Sequence, residues 1–260
     1  MRILSLSLLS FFLFNCSMIS NVFEEKPLSV EDYYKNGIVL FDKEKFRKAK
    51  DKFLYVVEND PGSYLAIESA LYLGKIHFEL KEFEEASYQF SYYMMFSKDL
   101  ANIETAQFMK CQCIYNLTND YNKDQSKSFM AITELQEFIN NFSSSPHKDK
   151  AILMINSLRN RIARKYYETG RLYLKMKNYD SAVHYFNLLL REYYDTKFAD
   201  EARISNIFCY ILADDFDKAK DYYNKESNNF ISEDKLEEAN LILKKYQDGI
   251  GFDGLYRLYK

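Results

Sequence analysis

Few residues in this 260-residue chain are of a type and spacing that could make or break bonds. His77, His147 and His184 are far apart, and none belongs to an HxxH or HExxH arrangement that would hold zinc on one helix face. No glycine-rich loop is present to cradle phosphate, and no GxSxG elbow presents a serine nucleophile. The run Asp214-Asp215-Phe216-Asp217 concentrates carboxylates, but it falls between two helical patterns and reads as a solvated turn and helix cap. Catalysis needs a convergent set of reactive groups. None is legible, so neither an enzyme nor a bound cofactor or metal is expected.

The four cysteines divide into two kinds. Cys111 and Cys113 are two apart on a predicted helix and face different directions, so they neither bridge nor share a metal. With Cys209 they make an odd number, which argues against a disulfide framework, and all three read as small core residues. Cys16 differs. A short positive start, Met1-Arg2, leads into an apolar run from Ile3 to Phe14. That run is shorter than the roughly 20 residues a bilayer span needs, and it has the length of a signal-peptide core. Leu13-Phe14-Asn15-Cys16 then resembles a bacterial lipobox, with Asn15 where Gly, Ala or Ser is usual. The expectation is a lipoprotein signal peptide over 1–15, acylation of Cys16 and a tether over 16–28. Ser17 fits outer-membrane sorting. The alternative is an ordinary cleaved signal peptide with an incidental cysteine. Buried acyl chains, at about 0.8 kcal/mol per CH₂, would hold the chain on a membrane without a spanning helix.

The elements that position everything else announce themselves by repetition. Gly37, Phe46, Ala49 and Phe53 recur at the same offsets as Gly74, Phe83, Ala86 and Phe90, and again as Gly170, Tyr179, Ala182 and Phe186. Small residues let two helices approach closely, and the aromatics fill the angle between them. Only 7 Gly and 3 Pro punctuate the chain, while 23 Tyr and 21 Phe can fill interhelical layers. The net charge of −3 leaves no basic excess for a nucleic-acid partner.

Read along the chain, Ser29-x-x-Asp32 is a capping box for a first helix over 30–40, followed by a second over 45–58 that stops at Asp60-Pro61-Gly62. A second hairpin spans 64–78 and 83–96, and a third 103–117 and 126–142, with Cys111 in the glycine's place. Ser143-Ser144-Ser145-Pro146 reads as the cap of a long helix, with Pro146 at its first position, that continues to about Lys177. Its partner covers 179–194. A fifth hairpin covers 199–212 and 215–228, with Ala219, Phe216 and Tyr223 in register. A last helix over 233–246 would cap the exposed apolar face, and the glycine-bearing tail after it reads as irregular.

These offsets resemble the tetratricopeptide repeat. The implied fold class is all-α, an α-α superhelix of about five helical hairpins with a C-terminal capping helix. Repeats 1–3 would form one unit over 29–145 and repeats 4–5 another over 146–230, followed by the cap and tail over 231–260. In such repeats the first helix of each pair lines a concave groove. That face carries Tyr34, Ile38 and Phe41 in the first repeat and Leu71, Lys75 and Phe78 in the second. This is a candidate groove for an extended peptide, with Lys75 for a carboxylate. In the fourth repeat the face carries Arg164, Tyr167, Arg171 and Lys175, with Arg159 and Arg161 nearby. This is a candidate docking strip for an acidic partner.

The whole arrangement is similar to the BamD family. Arg161-Ile162-Ala163-Arg164-Lys165-Tyr166-Tyr167-Glu168 resembles that family's entry into the fourth repeat, as do Tyr179-Asp180-Ser181-Ala182-Val183 and Leu190-Arg191-Glu192-Tyr193-Tyr194-Asp195-Thr196. The family usually has Tyr-Pro where Tyr193-Tyr194 stands and Gly where Cys111 stands. The resemblance implies a lipid-anchored scaffold on the periplasmic face of the outer membrane. Its partners would be the periplasmic part of a BamA-like barrel insertase and unfolded outer-membrane β-barrel proteins with aromatic-ended signals. A periplasmic repeat adaptor of the envelope or division machinery is the alternative.

Overall fold

The computed structural model describes residues 27–249. The expected signal peptide, Cys16, most of the expected tether and the residues beyond Gly249 lie outside them. The described chain is helical: α1 (Val30–Asp42), α2 (Phe46–Asn59), α3 (Tyr64–Glu79), α4 (Phe83–Phe96), α5 (Leu100–Asn116), α6 (Ser126–Asn141), α7 (Lys148–Lys175), α8 (Tyr179–Glu192), α9 (Ala199–Leu212), α10 (Phe216–Glu226), a 3₁₀ turn (Ser227–Asn229) and α11 (Glu233–Gln247). Two compact units divide at Ser69/Ala70, inside α3.

In the first unit, α1 and α2 pair as a hairpin. Ser29 Oγ accepts from the Asp32 N–H at 3.1 Å and the Asp32 carboxylate accepts from the Ser29 N–H at 2.9 Å. This is the expected capping box, which stabilises a helix start by about 1 kcal/mol. Gly37 faces Phe53 so closely that a β-carbon would sit 2.8 Å from the ring.

The same contact recurs twice in the second unit. A β-carbon would lie 2.6 Å from Phe90 at Gly74 and 2.5 Å from Phe186 at Gly170. Phe53, Phe90 and Phe186 are fully buried, as are the five register alanines Ala49, Ala86, Ala131, Ala182 and Ala219. In the third hairpin Cys111 joins Phe108, Ala131, Leu135 and Phe138 in one core cluster. Cys111, Cys113 and Cys209 are buried and unbridged, and burial pushes each thiol pKa up to about 12, so they remain protonated.

Four turns share a conformation with no glycine in it. Glu44, Lys81, Lys177 and Asp214 all have φ between 55° and 62°. At each, two amides fold back on the helix they end. The Lys177 N–H donates to the Leu174 carbonyl and the Asn178 N–H to the Tyr173 carbonyl, each at 3.0 Å. This is the Schellman closure, which satisfies carbonyls left open at a helix end. The left-handed region costs an L-residue about 1–2 kcal/mol, and at each turn the two closing backbone hydrogen bonds offset it.

The long helix α7 is one element with two cores. Its Ala151, Met154 and Leu158 pack with α5 and α6, while Ile162, Ala163 and Tyr167 pack with α8 and α9. Its 28 residues extend about 42 Å at 1.5 Å each. Its start differs from the expectation at Pro146. The helix begins at Lys148, with His147 at the cap position and no side-chain cap. Ser145 Oγ accepts from the His147 N–H at 3.1 Å, and the His147 ring stacks on Phe108 at 4.5 Å, so a turn anchored on α5 precedes the helix.

At the C-terminal end α9 is buried on nearly all sides, and it carries a buried ion pair. Arg203 Nη1 donates to Asp200 at 2.9 Å, with 3% and 6% of the two residues exposed. Asp200 also accepts from the Ile231 and Ser232 N–H groups at 2.8–3.0 Å. Those two amides lead into α11, whose Ala239, Ile242 and Leu243 cover Ile204, Ile207 and Phe208, as a terminal cap should.

Gly170→Ala forces its new methyl into Phe186. A net loss of about 1–2 kcal/mol in urea denaturation is expected, despite alanine's better helix propensity, with part of it recovered by adding Phe186→Leu. An unchanged or higher midpoint would contradict the contact. Lys177→Gly relieves the left-handed turn and should raise stability by about 0.5–1 kcal/mol in the same assay; a loss would show that the turn is unstrained.

Candidate functional site

The cationic side chains of α7 are shared out between two loops of the second unit. Arg161 donates to Thr118 Oγ1 and, at 3.0 Å, to the Asn119 carbonyl. Lys165 Nζ donates to the Lys123 carbonyl at 2.9 Å. Both hold the loop between α5 and α6, which Gln125 closes from within through the Asp120 carbonyl at 2.7 Å and Ser128 Oγ at 2.8 Å. In that loop two N-terminal donors of α6, the Ser126 backbone N–H and hydroxyl, hold the Asp124 carboxyl below its ordinary pKa. Arg159 turns the other way, donating to Asp195 Oδ1 at 2.6 Å and the Glu192 carbonyl at 3.2 Å, and so fixes the loop between α8 and α9.

Between the loops lies an open cleft of about 350 Å³. Arg164 and Arg161 of α7 line it with Tyr121 and Asp120 on one side and Lys197 and Phe198 on the other. The Arg164 guanidinium stacks 3.9 Å from the Tyr121 ring centre and its side chain remains 47% exposed. Lys197 is exposed at the opposite rim, and its backbone N–H donates to Asn160 Oδ1 at 3.3 Å. Three cations, Arg161, Arg164 and Lys197, thus line the cleft against one acid, Asp120. The chemistry of such a lining suits a carboxylate, to which an arginine can make two parallel hydrogen bonds.

The expected docking strip is placed unevenly. Arg164 reaches this cleft. Arg171 lies 3.6 Å from Glu168, which also approaches Arg164 at 4.0 Å, both half-exposed pairs that contribute little. Lys175 is exposed near the end of α7. Tyr167 is 8% exposed and packs against Phe186 and Phe198, so it is a core residue and not a docking one. Tyr121 and Lys197 were not anticipated. They sit on loops, where helical periodicity carries no signal.

The candidate groove residues fall in different units. In the first, Tyr34 meets Phe53 edge-on at 5.8 Å, Phe41 meets Phe46 at 5.6 Å, and Ile38 is partly buried. In the second, Leu71 is 2% exposed and so belongs to the interior, not to an open wall. Lys75 Nζ lies 5.3 Å from the Tyr72 ring centre, and Phe78 meets Phe83 at 5.5 Å.

The histidines do not converge. His77 is buried, with Nδ1 2.6 Å from Glu82 Oε2, where it ties α3 to α4. His147 stacks on Phe108, and His184 is exposed beside Tyr185. Among the described residues no group of His, Cys, Asp or Glu is arranged to hold a metal, and no helix is long and apolar enough to cross a membrane.

Residues 27–212 match the family YfiO, described as outer membrane lipoprotein. The chain is similar to the outer membrane protein assembly factor BamD of Rickettsia prowazekii, 26% identical over 83% of this chain and 86% of that protein. It is also similar to BamD of Caulobacter vibrioides, 24% identical over 73% of this chain and 62% of that longer protein. Among solved structures, MamA protein aligns over 86% of this chain and 97% of its own at 17% identity, with a TM-score of 0.34. The fold assignment rests on the hairpins themselves.

Arg161→Ala removes both contacts to the α5–α6 loop. Amide exchange over 118–125 should accelerate about tenfold, the local opening losing roughly 1–2 kcal/mol, while amides of α9 keep their rates. Unchanged exchange in the loop would show that Arg161 does not hold it.

Proposed function

We propose that this chain, which belongs to the YfiO (BamD) family of outer membrane lipoproteins, works as a scaffold of the β-barrel assembly machinery on the periplasmic face of the outer membrane. The observation that carries the reading is the family match over residues 27–212, which takes in every hairpin through the first helix of the fifth. A repeat scaffold of this kind acts by presenting surfaces.

In this reading Cys16 is acylated and holds the chain on the membrane. The periplasmic part of a BamA-like barrel insertase docks on the cationic face of α7, where Arg164 and Lys197 flank the cleft and Arg171 and Lys175 continue the positive charge. An acidic ridge on the partner would displace the weak Glu168 pairs at small cost, because exposed ion pairs contribute only about 0–1 kcal/mol. Unfolded outer-membrane barrel proteins are the proposed clients.

Extraction in mild detergent followed by affinity purification should recover a barrel insertase with periplasmic repeats. Arg164→Glu with Arg171→Glu should lower that recovery about tenfold, from lost and reversed charge contacts, with circular dichroism unchanged. Equal recovery would remove the α7 face from the proposal; no insertase in the wild-type preparation would remove the function. A fatty-acid probe should label the wild-type chain and not Cys16→Ala.

A further inference from the structure

A second cleft, of about 520 Å³, opens between α8, α9 and α10. At its base is Arg203, 3% exposed, whose Nη1 is committed to Asp200 but whose buried Nε has no hydrogen-bond partner. The Glu226 carboxylate lies 3.6 Å from that Nε and accepts from the Asn229 amide at 3.0 Å. Beside it, Asn206 Nδ2 donates to Asn187 Oδ1 and to the Tyr222 hydroxyl oxygen, each at 2.9 Å. Tyr222 keeps its hydroxyl hydrogen and Asn187 its amide hydrogens as donors in this cluster, while Asn206 Oδ1 is buried with no hydrogen-bond partner. Burial raises the Tyr222 pKa, so its proton stays in place at neutral pH. Arg191 and Lys225 stand exposed on the rim, Arg191 sharing its charge only with the exposed Glu192 next to it.

The cleft lining therefore carries more cations than carboxylates, Arg191, Arg203 and Lys225 against Glu226, with Leu190, Tyr194 and Tyr210 supplying an apolar wall. We propose that it binds a peptide carboxylate carried beside an apolar or aromatic residue. Glu226 on the lining disfavours a dianion such as phosphate, while a single carboxylate matches one unmet guanidinium edge and two rim cations. The carboxylate can belong to an acidic side chain or to a chain end. The site is separate from the α7 face and stands whether or not an insertase docks there.

The test uses the full chain in mild detergent and fluorescence anisotropy with three rhodamine-labelled pentapeptides: GSGYL with a free C-terminus, GSGYL amide and GSEYL amide. The free acid, the glutamate peptide or both should bind at least about tenfold more tightly than GSGYL amide, the worth of a charge-assisted hydrogen bond. Preference for the first assigns a chain end, and for the third an acidic side chain. Arg191→Ala with Lys225→Ala, on the exposed rim, should weaken that binding about tenfold with the helical signal unchanged; Tyr222→Phe should also weaken it. Equal binding of all three peptides, no binding up to about 1 mM, or unchanged binding by the rim variant would overturn the proposal.

Discussion

A phenylalanine ring occupying the space of a missing β-carbon is the contact on which each well-formed hairpin depends. Gly37, Gly74 and Gly170 present bare backbone to Phe53, Phe90 and Phe186, with a would-be methyl only 2.5–2.8 Å from the ring. The approach fixes both the distance between the paired helices and their rotation, because only one face of each can supply the glycine and the ring. The register alanine on the second helix then falls against the first without further specification. Where the glycine is absent, the hairpin adapts by other means. Cys111 and Leu135 fill the layer in the third hairpin, and Ile207 lies in a core cluster against which Tyr223 packs in the fifth.

Much of this was legible because the constraint is local and repeated. The starts of α4 and α8, the capping box at Ser29 and the cores built on the five alanines all follow from residue type and offset. The helix start at Lys148 was not, because Pro146 satisfies the rule for a first helical position while belonging to a turn tied down by Ser145 and the His147–Phe108 stack. The four left-handed turn residues were also invisible. Glu44, Lys81, Lys177 and Asp214 are polar residues in polar turns, and nothing in their type marks a left-handed backbone.

Sites were harder to read than folds for a related reason. The cationic face of α7 was evident from spacing, but spacing cannot say which arginines are committed. Arg159 and Arg161 are fastened to neighbouring loops and Tyr167 is swallowed by the core, while Arg164 remains exposed beside a tyrosine from a loop. Leu71 was assigned to an open wall and is interior. Conversely, Asp200 and Arg203 escaped notice although they carry a signal of their own. A charged pair three residues apart on a helix otherwise buried on most sides draws on the rest of the fold: the Ile231 and Ser232 amides complete Asp200, while Arg203 keeps one guanidinium nitrogen without a hydrogen bond.

The continuity of α7 has a consequence for how the second unit comes apart. A stack of separate hairpins contacts only nearest neighbours and can melt one hairpin at a time from either end. Here Leu158 and Ile162, one helical turn apart on the same backbone, belong to different cores. Losing one core leaves half of a long helix without its apolar partner, so a fracture at that boundary costs more than the interface alone. Fraying from the third hairpin toward the fourth should stall there, and the two should melt as one cooperative block.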